Sequence, residues 1–195
     1  MSPPSVLVLM GVSGCGKSTT GALLAGRLGW PFRDADSFHP PANIEKMSRG
    51  TPLTDEDRAP WLAAIAAWID ERLAAGAQGI VSCSALKRAY RDAIVAGRAG
   101  VRLVYLKGEK ALIAKRMAAR LDHFMPPALL DSQFAALEEP GADESPLVAP
   151  VAAQPGEVVE FILKELGLGP GASASPRLRG EGFAARPRSE PEGRS

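Results

Sequence analysis

A chain of 195 residues, 46% hydrophobic and 23% charged, is sized for one substantial core. Its formal net charge is +1, so no global field draws in nucleic acid or a membrane surface, and any anion must be held by local arginines and lysines. Two cysteines exclude a disulfide framework and point to a reduced cytosol, no apolar stretch reaches the length of a membrane span, and Met1-Ser2-Pro3-Pro4 is no signal peptide.

The first element is an apolar run, Val6–Met10, which reads as a buried parallel strand. It feeds Gly11-Val12-Ser13-Gly14-Cys15-Gly16-Lys17-Ser18, a fit to G-x-x-x-x-G-K-[ST], and a helix from about Gly16 to Leu28 follows. Strand, glycine turn and helix together make a phosphate-binding loop. The glycines let the backbone curl so that successive N–H groups point at phosphate oxygens. The helix N-terminus adds positive potential. Lys17 supplies a point charge for the β- and γ-phosphates, and Ser18 a hydroxyl for Mg²⁺. The nucleotide contacts expected here are Gly11, Val12, Ser13, Gly14, Cys15, Gly16, Lys17, Ser18 and Thr19. Cys15 and Cys83 read as small buried thiols.

A short second strand, Trp30–Arg33, runs into Asp34-Ala35-Asp36. Phosphoryl transfer to an alcohol needs one carboxylate to orient and deprotonate the hydroxyl, and often another to hold Mg²⁺ through water. Two acids on one face of a strand end beside a phosphate loop meet that need. Next, Trp61, Ile65, Trp68, Ile69 and Leu73 recur at helical spacing, an apolar face that reads as core. Gly79–Cys83 is a third strand, Tyr90, Ile94 and Val95 mark a helix, and Val101–Leu106 is a fourth strand. Leu112, Ile113, Arg116 and Met117 mark another helix, running into a basic stretch of Lys115, Arg116, Arg120 and His123. Arg116 and Arg120 are four apart and share a helix face. Taken alone these residues read as a solvated basic helix end; the alternative is a mobile lid whose arginines neutralise a transferring phosphate and exclude water. Pro126-Pro127 can open a helix with Leu130, Phe134 and Leu137 on its apolar face. A weak fifth strand, Leu147–Ala152, contains Pro150, which argues for an edge position or a very short strand. A helix over Glu157–Leu166 closes the folded part. Strands alternating with helices predict a parallel α/β sheet with right-handed crossovers. Beyond Leu168 the chain is rich in Gly, Pro, Ser and Arg and reads as a disordered tail.

Longer blocks carry a specific resemblance. His39 through Met47, Gly50 through Leu62, Cys83 through Asp92, Tyr105 through Gly108, His123-Phe124-Met125, Ser132-Gln133-Phe134, and Leu137-Glu138 through Asp143-Glu144 resemble the small P-loop gluconokinases, in that family's order and spacing. The resemblance runs from about Val6 to Gly167. Shikimate and adenylate kinases share the phosphate loop but not these blocks.

The resemblance implies a three-layer P-loop NTPase fold: a parallel five-stranded sheet of order 2-3-1-4-5, flanked by helices. Residues 1–168 would form the kinase domain, with a mobile lid over about 116–128 and the tail over 169–195. The implied reaction is ATP-dependent, Mg²⁺-assisted phosphorylation of D-gluconate at its 6-hydroxyl, in the cytoplasm and with a homodimer as the family expectation. The alternatives are a kinase of another small sugar acid or polyol, or a non-catalytic P-loop regulator. Lys17, Asp36 and Arg120 would be catalytic. Asp36 is taken as the base and Asp34 as the Mg²⁺ helper beside Ser18, an order the sequence leaves reversible. Arg58, Lys87 and Arg49 can meet the substrate carboxylate, while His39, Ser84 and His123 would contact substrate. Arg116 and Arg120 would lie near the nucleotide, and Gln154-Pro155 would border the adenine. Two departures stand out. Asp122 replaces a glycine before His123 and should point outward, and Val151-Ala152-Ala153 replaces a more polar stretch.

Overall fold

The computed structural model describes residues 3–95, 97–119 and 127–169. Five parallel strands are β1 (Val6–Met10), β2 (Phe32–Asp34), β3 (Gly79–Ser82), β4 (Val101–Lys107) and β5 (Leu147–Pro150). The helices are α1 (Lys17–Leu28), α2 (Pro41–Ser48), α3 (Asp55–Ala74), α4 (Arg88–Ile94), α5 (Lys110–Ala118), α6 (Pro127–Ala136) and α7 (Pro155–Leu166). The sheet order is β2-β3-β1-β4-β5, as the resemblance implies.

β1 lies at the centre because all five of its residues are buried. Alternate side chains point to opposite faces of a strand, and this separates two cores. Leu7 and Leu9 face a layer built on Leu24 of α1, Ile113 of α5, Leu130 of α6 and Ile162 of α7. Val6, Val8 and Met10 face Trp61, Ile65 and Ile69 of α3 and Ile94 of α4. The aromatic stripe of α3 is therefore core, and the Trp61 indole N–H donates to Ala35 O at 2.7 Å. α3 starts six residues before its apolar stripe. Thr54 caps it: its hydroxyl accepts from Asp57 N at 3.2 Å, and Asp57 Oδ2 accepts from Thr54 N at 2.7 Å.

Boundaries shift by a residue or two from the expected ones. β5 ends at Pro150, on the edge where a missing N–H costs no ladder bond. β2 runs one residue further, to Asp34, and Asp36 falls not on the strand but in the 3₁₀ turn Ala35–Phe38. The expected lid overlaps two helices: residues 116–118 end α5 and 127–128 open α6. Its centre, including Arg120, Asp122 and His123, lies outside the described residues, as does the expected tail from 170 on. Among the described residues, no helix is long and apolar enough to cross a membrane.

Candidate active site

At the carboxyl end of β1 the chain turns through Gly11, Gly14 and Gly16, all at positive φ, before α1 begins. Two of these glycines are required by space as well. A Cβ on Gly11 would stand 2.8 Å from Cys15 Sγ and 2.9 Å from Leu106 O. A Cβ on Gly14, at φ +80°, would stand 2.6 Å from Met117 Cγ. The loop is thus held tight against β4 and α5.

Lys17 Nζ reaches back to donate to Gly11 O at 2.9 Å and Val12 O at 3.0 Å, which holds the ammonium at the mouth of the loop. Ser18 Oγ donates to Asp34 Oδ2 at 2.7 Å. The other oxygen, Asp34 Oδ1, accepts from Asp36 N at 3.2 Å, so the Asp34 carboxylate both caps the 3₁₀ turn and meets the first turn of α1. Asp36, Ser84, Lys17, Ser18 and Asp34 line one cleft of about 370 Å³. Ser82, at the end of β3, also lines it, and its buried hydroxyl has no hydrogen-bond partner among the described residues.

An ordered hydroxyl, a carboxylate and a buried free hydroxyl around one space suit a hard, hydrated cation such as Mg²⁺. Such an ion takes oxygen ligands, keeps several waters and needs few protein groups when phosphates share it. Among the described residues no cluster of three or more His, Cys, Asp or Glu could hold a metal alone. The thiols take no part. Burial raises the Cys15 pKa and pushes Cys83 up to about 12, so both stay protonated.

A second cavity, of about 340 Å³, opens on the other side of the loop. Gly14, Gly16, Thr19, Arg116, Gln154 and Pro155 line it. Arg116 Nη2 donates to Ala153 O at 3.2 Å, joining the end of α5 to the turn before α7. The expected adenine-bordering residues therefore share a cavity with the phosphate loop.

The expected carboxylate clamp forms around a carboxylate of the chain itself. Lys87 Nζ donates to both oxygens of Asp55, at 2.9 and 2.7 Å, and Tyr90 OH donates to Asp55 Oδ1. Arg58 Nη1 lies 3.7 Å from the same oxygen and donates to Leu53 O at 2.5 Å. Lys87 and then Tyr90 hold the Asp55 carboxyl below its ordinary pKa, and Asp55 holds Lys87 above its own. His39 stacks on Trp61, with ring centroids 4.6 Å apart and planes 8° from parallel. Burial lowers its pKa against the opposing pull of Asp36, so the ring is neutral near pH 7. His39, Arg58, Lys87 and Arg49 line neither cavity, and Arg49 also stands apart from the Asp55 cluster. It is exposed at the end of α2 and pairs with Glu45, one helical turn back. Sequence reasoning missed Asp55, Ser82 and the role of Gln133, whose Oε1 accepts from the loop amide Ser13 N at 2.6 Å. The Ser132-Gln133-Phe134 block was the available signal for the last.

Residues 6–140 match the model of an AAA domain family. The gluconokinase of Gluconobacter oxydans is 46% identical over 161 residues, covering 83% of this chain and 90% of that protein. Two solved structures superimpose over 86% of this chain. A sugar kinase from Janibacter does so at TM-score 0.78 and 46% identity over 97% of its own chain. A gluconokinase from Sinorhizobium meliloti does so at TM-score 0.74 and 45% identity over 94% of its own.

Proposed function

The chain belongs to the gluconokinase family, and from that premise we propose that it transfers the γ-phosphoryl group of ATP to the 6-hydroxyl of D-gluconate, giving 6-phospho-D-gluconate and ADP. One observation carries the reading beyond likeness. Lys17, Ser18, Asp34 and Asp36, drawn from three elements, meet in a single cleft under the phosphate loop. The Asp36 carboxylate lines that cleft, where a kinase needs a base for the acceptor hydroxyl.

The nucleoside would enter by the cavity of Arg116, Gln154 and Pro155, with its phosphates along the loop amides. Lys17 would leave the loop carbonyls for the phosphates, exchanging one set of acceptors for a charged one. Mg²⁺, held by Ser18 and Asp34, would neutralise the phosphate charge that develops during transfer. Asp36 would accept the proton of the attacking hydroxyl. Gluconate would lie with its reacting end at Asp36 and its carboxylate toward Arg58 and Lys87. His39, neutral and held flat on Trp61, would offer its free ring edge to a substrate hydroxyl. Ser84 lies at the cleft beside the path between the two ends. Arg120 and His123 complete the expected set as contacts to the phosphates and the substrate. The buried thiols suit a reducing cytoplasm, and a homodimer is the assembly we expect.

The deciding experiment couples ADP release to a panel of acceptors: gluconate, idonate, shikimate and nucleoside monophosphates, with Lys17→Ala as the dead control. Gluconate should exceed every other acceptor in kcat/KM by at least about a hundredfold. A different preferred acceptor would overturn the substrate, and no turnover with any of them would overturn the kinase reading.

A further inference from the structure

Gln133 occupies a place that only a phosphate-binding loop creates. It lies on α6, 120 residues from the loop, yet its side-chain oxygen takes the Ser13 amide hydrogen at 2.6 Å. That amide belongs to the glycine-rich turn, where outward N–H groups serve phosphate oxygens. Gln133 lines the cleft that holds Lys17, Asp34 and Asp36, not the cavity of Arg116 and Gln154. It therefore stands at the end where the transferred group would be, away from the nucleoside. Its position is firmly set. Leu130, one turn before it, is 3% exposed in the core, and Phe134 packs against the same core. Among the described residues the Gln133 amide nitrogen makes no hydrogen bond, so both of its hydrogens remain available to the cleft.

A primary amide carries an acceptor on one side and two donors on the other. Its terminal torsion is broad and roughly two-fold, so the two ends can exchange places without moving the helix. A phosphoryl oxygen arriving at Ser13 N would displace the Gln133 oxygen. Turning the amide then presents N–H to the oxygen that displaced it. We propose that Gln133 is a catalytic residue that reads the terminal phosphoryl group: its oxygen stands in for a phosphoryl oxygen on the empty loop, and its amide donates to the transferring group once nucleotide binds. This rests on the kinase reading but not on gluconate as the acceptor.

The chemistry predicts which substitutions hurt. Gln133→Glu keeps an acceptor for Ser13 N but puts a carboxylate against the phosphate. Gln133→Met keeps the length and apolar stem and offers neither acceptor nor strong donor. Titration calorimetry with a non-hydrolysable ATP analogue and with ADP gives the affinity ratio of the two nucleotides, independent of any acceptor. Gln133→Glu should lower that ratio at least about tenfold. Gln133→Met should lower kcat at least about tenfold, with ADP affinity and gluconate KM within about twofold of the wild type. In the unmodified protein, the Gln133 side-chain amide resonances should shift on adding the ATP analogue and not on adding ADP, a readout no folding defect can mimic. An unchanged nucleotide ratio in Gln133→Glu, or resonances that respond equally to both nucleotides, would reduce Gln133 to a brace on the loop and overturn the proposal. A protein that binds neither nucleotide would overturn the kinase reading itself.

Discussion

Replacing Arg91 by alanine should be among the costliest single changes outside the cleft. Arg91 is 2% exposed, and its partner Glu144 is 8% exposed. The guanidinium donates to Glu144 Oε2 at 2.5 Å and Oε1 at 2.9 Å, and to the carbonyls of Ala85, Leu86 and Glu138 at 3.2, 3.1 and 2.8 Å. Removing it strands a buried carboxylate and takes a partner from three carbonyls. Breaking a buried pair on one side costs about 3–5 kcal/mol. Glu144 keeps the Gly141 amide at 2.9 Å and lies 3.7 Å from Arg88, which favours the lower end of that range. For a domain of this size about 3 kcal/mol corresponds to a loss of roughly 6–12 °C in Tm. Urea denaturation should show a lower midpoint at unchanged slope. The acid limb gives an independent check. Arg91 holds the Glu144 carboxyl below its ordinary value of 4.5. A depressed folded-state pKa contributes stability above that ordinary value, which is lost as pH falls through the folded one. The gap between wild type and Arg91→Ala should therefore narrow below about pH 4.5. Activity should suffer too. Ala85 sits at φ +42°, and its carbonyl is one that Arg91 holds, so the turn that carries Ser84 and Lys87 would loosen. A destabilisation under about 1 kcal/mol, or a gap that does not change with pH, would refute this account. So would an Arg91→Met/Glu144→Leu double variant no more stable than Arg91→Ala, since well-packed apolar replacement removes the stranded charge.

Five further outcomes follow from the site. Gly14→Ala must adopt φ +80° and press on Met117, so the ADP Kd should rise at least about tenfold by calorimetry; an unchanged Kd would mean the loop tolerates a side chain there. Asp36→Asn should lower kcat about a hundredfold with little change in gluconate affinity. Asp34→Asn should chiefly raise the Mg²⁺ concentration for half-maximal rate, and a larger kcat loss in Asp34→Asn at saturating Mg²⁺ would exchange the two roles. Arg58→Lys should lower kcat/KM for gluconate at least about tenfold, because lysine cannot copy a bidentate pair. Glucose, lacking the carboxylate, should be a very poor acceptor, and comparable kcat/KM for the two sugars would refute the clamp.

Much of this protein was legible in local pattern. The all-apolar Val6–Met10 run, the glycine spacing after it and Lys17-Ser18 identify strand, phosphate loop and helix start, because each is a short-range steric requirement of the backbone. Pro150 pointed to an edge or a very short strand for the same kind of reason. Asp34 and Asp36 were recognisable as a pair placed for phosphoryl transfer, although the same spacing serves equally well for solvated turn residues. Longer blocks added the family and, through it, the strand order.

What the tertiary structure decided were relations across long stretches of chain. Ser18 finds Asp34 sixteen residues on, and Ser13 finds Gln133 120 residues on. The lysine and arginine expected to meet a substrate carboxylate already surround Asp55, a residue that reads in sequence as one more acid in a helix first turn. Arg49, named after Arg58 and Lys87 as a further cation for the substrate carboxylate, sits at the exposed end of α2 and pairs with its own helix neighbour. Local sequence specifies φ, ψ and the face a side chain takes. Which charged groups converge depends on how helices far apart in the chain pack on the sheet, and that is set by burial of the apolar stripes, not by the polar residues the packing brings together.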